Sequence, residues 1–71
     1  MSQRESEWIK VYVSTEPQRV EIVKAILEDN HISTHQVDRK DSTYPFMGEI
    51  EVYVQQRDAI LARVIIENHQ L

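Results

Sequence analysis

Apolar and polar residues alternate along Gly48-Glu49-Ile50-Glu51-Val52-Tyr53-Val54. That period of two predicts a half-buried strand with Ile50, Val52 and Val54 facing inward and Glu49, Glu51 and Tyr53 facing outward. Its β-branched and aromatic content favours strand over helix, and Gly48 marks the end of the preceding loop. The same alternation over 8–13 predicts a first strand, with Ile9, Val11 and Val13 on one face and Trp8, Lys10 and Tyr12 on the other. The period changes to that of a helix over 16–29, where Val20, Val23, Ile26 and Leu27, helped by Ile22, form the buried stripe and Glu21, Lys24 and Glu28 face water. Thr15 is placed to cap this helix, with Gln18 three residues later completing a capping box and Pro17 in the first turn. Asn30 suits a left-handed stop, after which Ile32 tucks back against the helix end.

Alternation is weak over 33–39, which reads as a polar edge strand. A loop is expected over 40–47, since Pro45 cannot sit in a paired central strand. Tyr44, Phe46 and Met47 are apolar for a loop and are expected to fold over the sheet end. The residues 55–58 open a second helix, in which Ile60, Leu61, Val64, Ile65 and Asn68 follow helical spacing and Ala59, Ala62 and Ile66 widen the apolar face.

Strand, helix, strand, strand, helix is the ferredoxin-like βαββα arrangement of the α+β class, lacking its last strand. A right-handed crossover leaves a gap beside the first strand that the third fills, giving a three-stranded antiparallel sheet in the order 2-3-1 with both helices on one face. Pairing Lys10 opposite Glu51 brings Trp8 near Tyr53 and Tyr12 near Glu49 on the uncovered face. Exposed rings on an open sheet mark an interface. The plainer alternative is scattered surface aromatics under the N-terminal tail. Trp8, Lys10, Tyr12, Glu51 and Tyr53 are the candidate protein interface, and the unprotected edge of the first strand is a second route to self-association.

Composition narrows the function more than the fold. A chain of 71 residues holds one domain, read as 8–69 behind a mobile polar tail at 1–7, and its small core leaves room for oligomerisation as a support. Eight basic residues stand against 12 acidic ones for a net charge of -4, and no basic cluster exceeds Arg39-Lys40, which argues against nucleic-acid and anionic-membrane partners. There is no Cys, and the start of the chain does not read as a signal peptide, so a cytoplasmic location is expected.

No catalytic, cofactor or metal site is expected. His31 and His35 are four residues apart, about 13 Å along a strand, too far for shared coordination, and His69 has no partner with metal-ligand spacing. Glu49 and Glu51 lie about 6–7 Å apart on one strand face, a spacing open to paired-carboxylate chemistry, but Lys10 is a ready partner for Glu51 and a solvated charged face is the simpler reading. Ser14, Ser33 and Ser42 have no nucleophile setting. Asp41, Ser42, Tyr44 and Phe46 form a candidate recognition loop, with capping of the core edge as the structural alternative.

The strand "WIKVYVS", the helix "EPQRVEIVKAILEDNHI", the segment "DRKDSTYPFMGEIEVYV" and the closing "RDAILARVIIEN" resemble a small bacterial family of unknown function described as putative prokaryotic signal-transducing proteins. The resemblance covers 8–68. It implies a ferredoxin-like fold distantly related to the nitrogen-regulatory PII proteins and supplies no catalytic motif. Gly often occupies the position of His31 in that family, which leaves the turn here to Asn30. Gly48 is the only glycine, so the glycine-rich phosphate cradle of a nucleotide sensor is missing. The resulting expectation is a non-enzymatic signalling module that acts through protein contacts and self-associates. The alternative is a small-ligand sensor with its pocket at 40–48.

Overall fold

The computed structural model describes residues 7–41 and 44–69, without the side chains of 40–47. Trp8–Ser14 forms β1, Pro17–Asp29 α1, Thr34–Asp41 β2, Tyr44–Gln55 β3 and Ala59–Asn68 α2, the last entered through a 3-10 turn at Gln56–Asp58. The sheet order is β1-β3-β2 with β3 antiparallel to both neighbours, which is the βαββα layout its patterning predicts. Val20, Val23 and Leu27 of α1, Val52 and Val54 of β3, Ala59 and Ala62 of α2, and Ile32 form one buried cluster. Both helices therefore cover the same side of the sheet. Gln56 N–H donates to the carbonyl of Glu7 at 3.0 Å, and the expected tail lies otherwise outside the described residues.

The helix start differs from the expected capping box. Glu16, in extended conformation, holds the N-cap position and Pro17 follows it in the first helical position. A cap at Thr15 would put Pro17 second, where it has no N–H to donate to the cap. Ser14 Oγ instead accepts from the Glu16 N–H at 3.0 Å, and the Glu16 carboxylate accepts from Arg19 Nε at 2.7 Å. Ile22 is exposed rather than part of the stripe, and Lys24 is half-buried, donating to Gln36 of β2 at 2.8 Å.

At the other end of α1 the left-handed residue is His31, with φ 65°, and Asn30 remains at φ -98°. Ile32 N–H donates to the carbonyl of Leu27, and His31 N–H to that of Glu28, each at 3.0 Å. These two bonds define a Schellman turn, and Ile32 packs back beside Leu27 in the core. Asn30 contributes differently, its Nδ2 donating to the carbonyl of Ile26 at 2.9 Å.

Two irregularities change the sheet from its simplest reading. In β1, Lys10 pairs with Tyr53 but Tyr12 with Val52, so Val11 is an extra residue and the strand bulges. Beyond the bulge the alternation inverts: Tyr12 and Ser14 oppose the inward-facing Val52 and Ile50, while Val13 opposes Glu51. The expected 40–47 loop is also much shorter, because β2 runs to Asp41 and β3 begins at Tyr44. Pro45 is accommodated there since β1 pairs only with 50–55 of β3, leaving the outer part of the hairpin two-stranded, with a register shift between Arg39 and Asp41.

The second helix buries only one side of the wide apolar face expected of it, and Ile60, Leu61 and Val64, expected inside, lie on the other. Ala59 and Ala62 are buried, with Ile65 and Ile66 packing beside them, whereas Ile60, Leu61 and Val64 are 78%, 51% and 46% exposed. Seven of its ten residues are apolar, so periodicity cannot choose a face. Among the described residues no helix is long and apolar enough to cross a membrane.

Candidate contact face

On the side of the sheet away from the helices, strand periodicity and the β1 bulge set out a definite group of side chains. β3 contributes Glu49, Glu51, Tyr53 and Gln55 through the middle. Trp8, Lys10 and Val13 come from β1, opposite Gln55, Tyr53 and Glu51. His35, Val37 and Arg39 come from β2, opposite Tyr53, Glu51 and Glu49.

At the centre is a carboxylate that the fold removes from water without a helix above it. Glu51 is 4% exposed, flanked in register by Val13 and Val37. Its Oε1 accepts from the Tyr53 hydroxyl at 2.7 Å and from Arg39 Nε at 3.0 Å, and its Oε2 lies 3.6 Å from Lys10 Nζ. A buried charge is tolerated only when paired and hydrogen-bonded in this way. The Tyr53 hydroxyl and then the Arg39 guanidinium hold the carboxyl below its ordinary range; burial acts against them, and the charges of Arg39 and Lys10 reinforce them. Arg39 is in turn raised, chiefly by its bond to Glu51. The two cationic side chains remain half-exposed or more, at 50% for Lys10 and 63% for Arg39, and so form the rim of the cluster.

Trp8 occupies one end of the face, 38% exposed, its ring 5.5 Å from that of His35 and tilted 39°. It lies across from Gln55 rather than beside Tyr53. Lys10 does reach Glu51 as an ion pair, but along a diagonal, since Tyr53 stands directly opposite it. Tyr12 does not join the face: the bulge turns it toward the helices, where it packs against the core and supports Arg19 together with Glu16.

Of the expected recognition loop, Ser42 and the side chains of Asp41, Tyr44 and Phe46 lie outside the described residues. An open depression of about 420 Å³ is lined elsewhere, by Glu28, His31, Ile32, Ser33 and Thr34. Thr34 Oγ1 donates to Glu28 Oε2 at 2.8 Å beside it. No group of three or more His, Asp or Glu side chains gathers with metal-holding geometry among the described residues.

Sequence reasoning missed Arg39, His35 and Val13. The first two share a face with Val37 by period two, so placing β2 beside β3 in register would have found them. Val13 depends on a bulge that leaves no local signature. Chemically, the cluster holds its carboxylate ionised and points two cations outward, whereas a general acid or base working near neutrality needs its pKa brought toward the working pH. A family model described as "Putative prokaryotic signal transducing protein" matches residues 8–70. No curated protein and no solved structure matches the chain.

Proposed function

We propose a contact mechanism for this chain, which belongs to the family described as "Putative prokaryotic signal transducing protein", whose model its residues 8–70 match. It is a non-enzymatic module that binds a partner protein through the open face of its sheet. The observation that carries this reading is the Glu51 cluster. Three side chains from three strands, Tyr53, Arg39 and Lys10, converge on one buried carboxylate, which ties both cations to the middle of a face that carries the exposed indole of Trp8 at one end. Preorganised cations around an aromatic anchor give orientation and affinity at low ordering cost. Arg and Trp are favoured at such positions for their flat, amphipathic side chains.

The β1 edge is the less favourable route to association, because a bulge interrupts the regular ladder that a second strand would need. The sensor alternative placed its pocket at 40–48, mostly outside the described side chains. The depression at the end of α1 has its Thr34 and Glu28 groups bonded to each other, which favours contact over ligand sensing.

The test is affinity capture from extract of the source cell with the wild-type chain and with Trp8→Ala and Arg39→Glu, each checked for folding by circular dichroism. Support is a protein retained by the wild type and lost by both variants. Retention unchanged by either substitution contradicts the face, and retention of a small molecule alone contradicts the contact mechanism.

A further inference from the structure

We infer that the exposed side of α2 is the pairing surface for a second copy of this chain, docked antiparallel across a two-fold axis at the level of residue 62. The helix packs Ala59, Ala62, Ile65 and Ile66 toward its own core and presents Ile60, Leu61 and Val64 on the opposite side. A helix apolar on two faces belongs between two layers, and the described residues of one chain supply one. The occupant follows from the charges at the ends of the stripe. In an antiparallel pair centred on residue 62, Ile60 of one copy meets Val64 of the other, and Arg57 meets Glu67. The Ile60–Val64 contact and the Arg57–Glu67 ion pair then each occur twice, as a two-fold interface requires.

The end groups are available for this exchange. Arg57 is 68% exposed and its ion pair with Asp58 spans 3.9 Å, while Glu67 is exposed. A parallel pair would instead set Arg57 against Arg57. The contact runs about 15 Å, from 57 in the 3-10 turn to 67 on α2, and at a helix width of about 10 Å it covers only a few hundred Å², below the ~1,000 Å² of a stable interface, so the dimer is a weak one, of micromolar dissociation constant or above. It leaves both open sheet faces free, and each dimer carries two copies of the proposed contact surface.

Sedimentation of the full chain from about 10 μM to about 1 mM tests this, a range that spans weak protein dimers. The expected result is concentration-dependent dimerisation, with a dissociation constant raised ten-fold or more by Ile60→Ser with Val64→Ser. Arg57→Glu and Glu67→Arg each weaken the dimer, and the double exchange restores it. These positions are exposed, and circular dichroism confirms that each variant is folded. A wild-type monomer throughout the range overturns the inference, as does a dimer indifferent to the serine substitutions or a double exchange that fails to restore pairing. Trp8→Ala and Arg39→Glu leave this equilibrium unchanged, so a failure here is separate from a failure of the sheet-face reading.

Discussion

Replacing His31 by Gly tests the turn that joins α1 to the sheet. His31 sits at φ 65° and is exposed, so the substitution relieves a strained backbone while removing little packing. For a residue with a Cβ the left-handed conformation costs about 1–2 kcal/mol. Gly avoids that cost but gives up about 0.5–1 kcal/mol through the greater freedom of its unfolded chain. The net expectation is a gain of about 0–1.5 kcal/mol centred near ~0.75 kcal/mol, which at the centre is roughly 3–6 °C in Tm for a domain of this size. Thermal melts followed by circular dichroism, with urea unfolding at unchanged slope, read this directly. His31→Val is the opposing control, since a β-branched residue is least tolerant of this region, and its Tm falls by several degrees. His31→Asn lies between. A His31→Gly protein that melts lower than the wild type, or a His31→Val protein that melts no lower, would refute the left-handed turn and with it the Schellman bonds to Leu27 and Glu28.

Three further outcomes follow from the core and the Glu51 cluster. Leu27→Ala, at a fully buried position, costs about 2–5 kcal/mol against a total of roughly 4–10 kcal/mol for 71 residues, so the midpoint of chemical denaturation falls by about half. Because the folded Glu51 carboxyl is held below its ordinary value of about 4.3, the unfolded chain binds more protons in the window just beneath that value. The stability from this group is present above that window and is lost as pH falls through the folded pKa, so Glu51→Gln shows a shallower decline of Tm with acid than the wild type; parallel declines count against the cluster. Following the Glu51 carboxyl by NMR titration, Tyr53→Phe and Arg39→Gln each raise its pKa, since the phenolic hydrogen bond is the largest single cause and Arg39 supplies both a hydrogen bond and a charge; a pKa left in place by either substitution would mean that partner does not hold the carboxylate.

The sheet order and the shared helix face were legible in the sequence because they follow from where period two gives way to period 3.6 and from the handedness of the crossover. Residues 48–54 show why: their alternation matches the observed facing of β3 position by position. What escaped was controlled by backbone events that change no composition. One extra residue at Val11 exchanged Tyr12 for Val13 on the open face. A positive φ fell on His31 rather than on Asn30, whose side chain proved more useful bonded to Ile26. In α2 seven of ten residues are apolar and nearly encircle the helix, so its pattern names no single buried side. The candidate site was half readable: Lys10, Glu51 and Tyr53 came from two alternating strands, whereas Arg39 required a register for β2, the strand with the weakest pattern.

Trp8 is the only tryptophan in the chain and stands on the proposed contact face, so its emission reports occupancy of that face alone. The most direct measurement is titration of the folded full-length protein with a captured partner, following Trp8 fluorescence and its quenching by acrylamide. Binding through the open sheet face predicts a blue shift and a saturable loss of quencher access, both abolished by Arg39→Glu. Emission and quenching that stay constant while the partner binds would contradict the account.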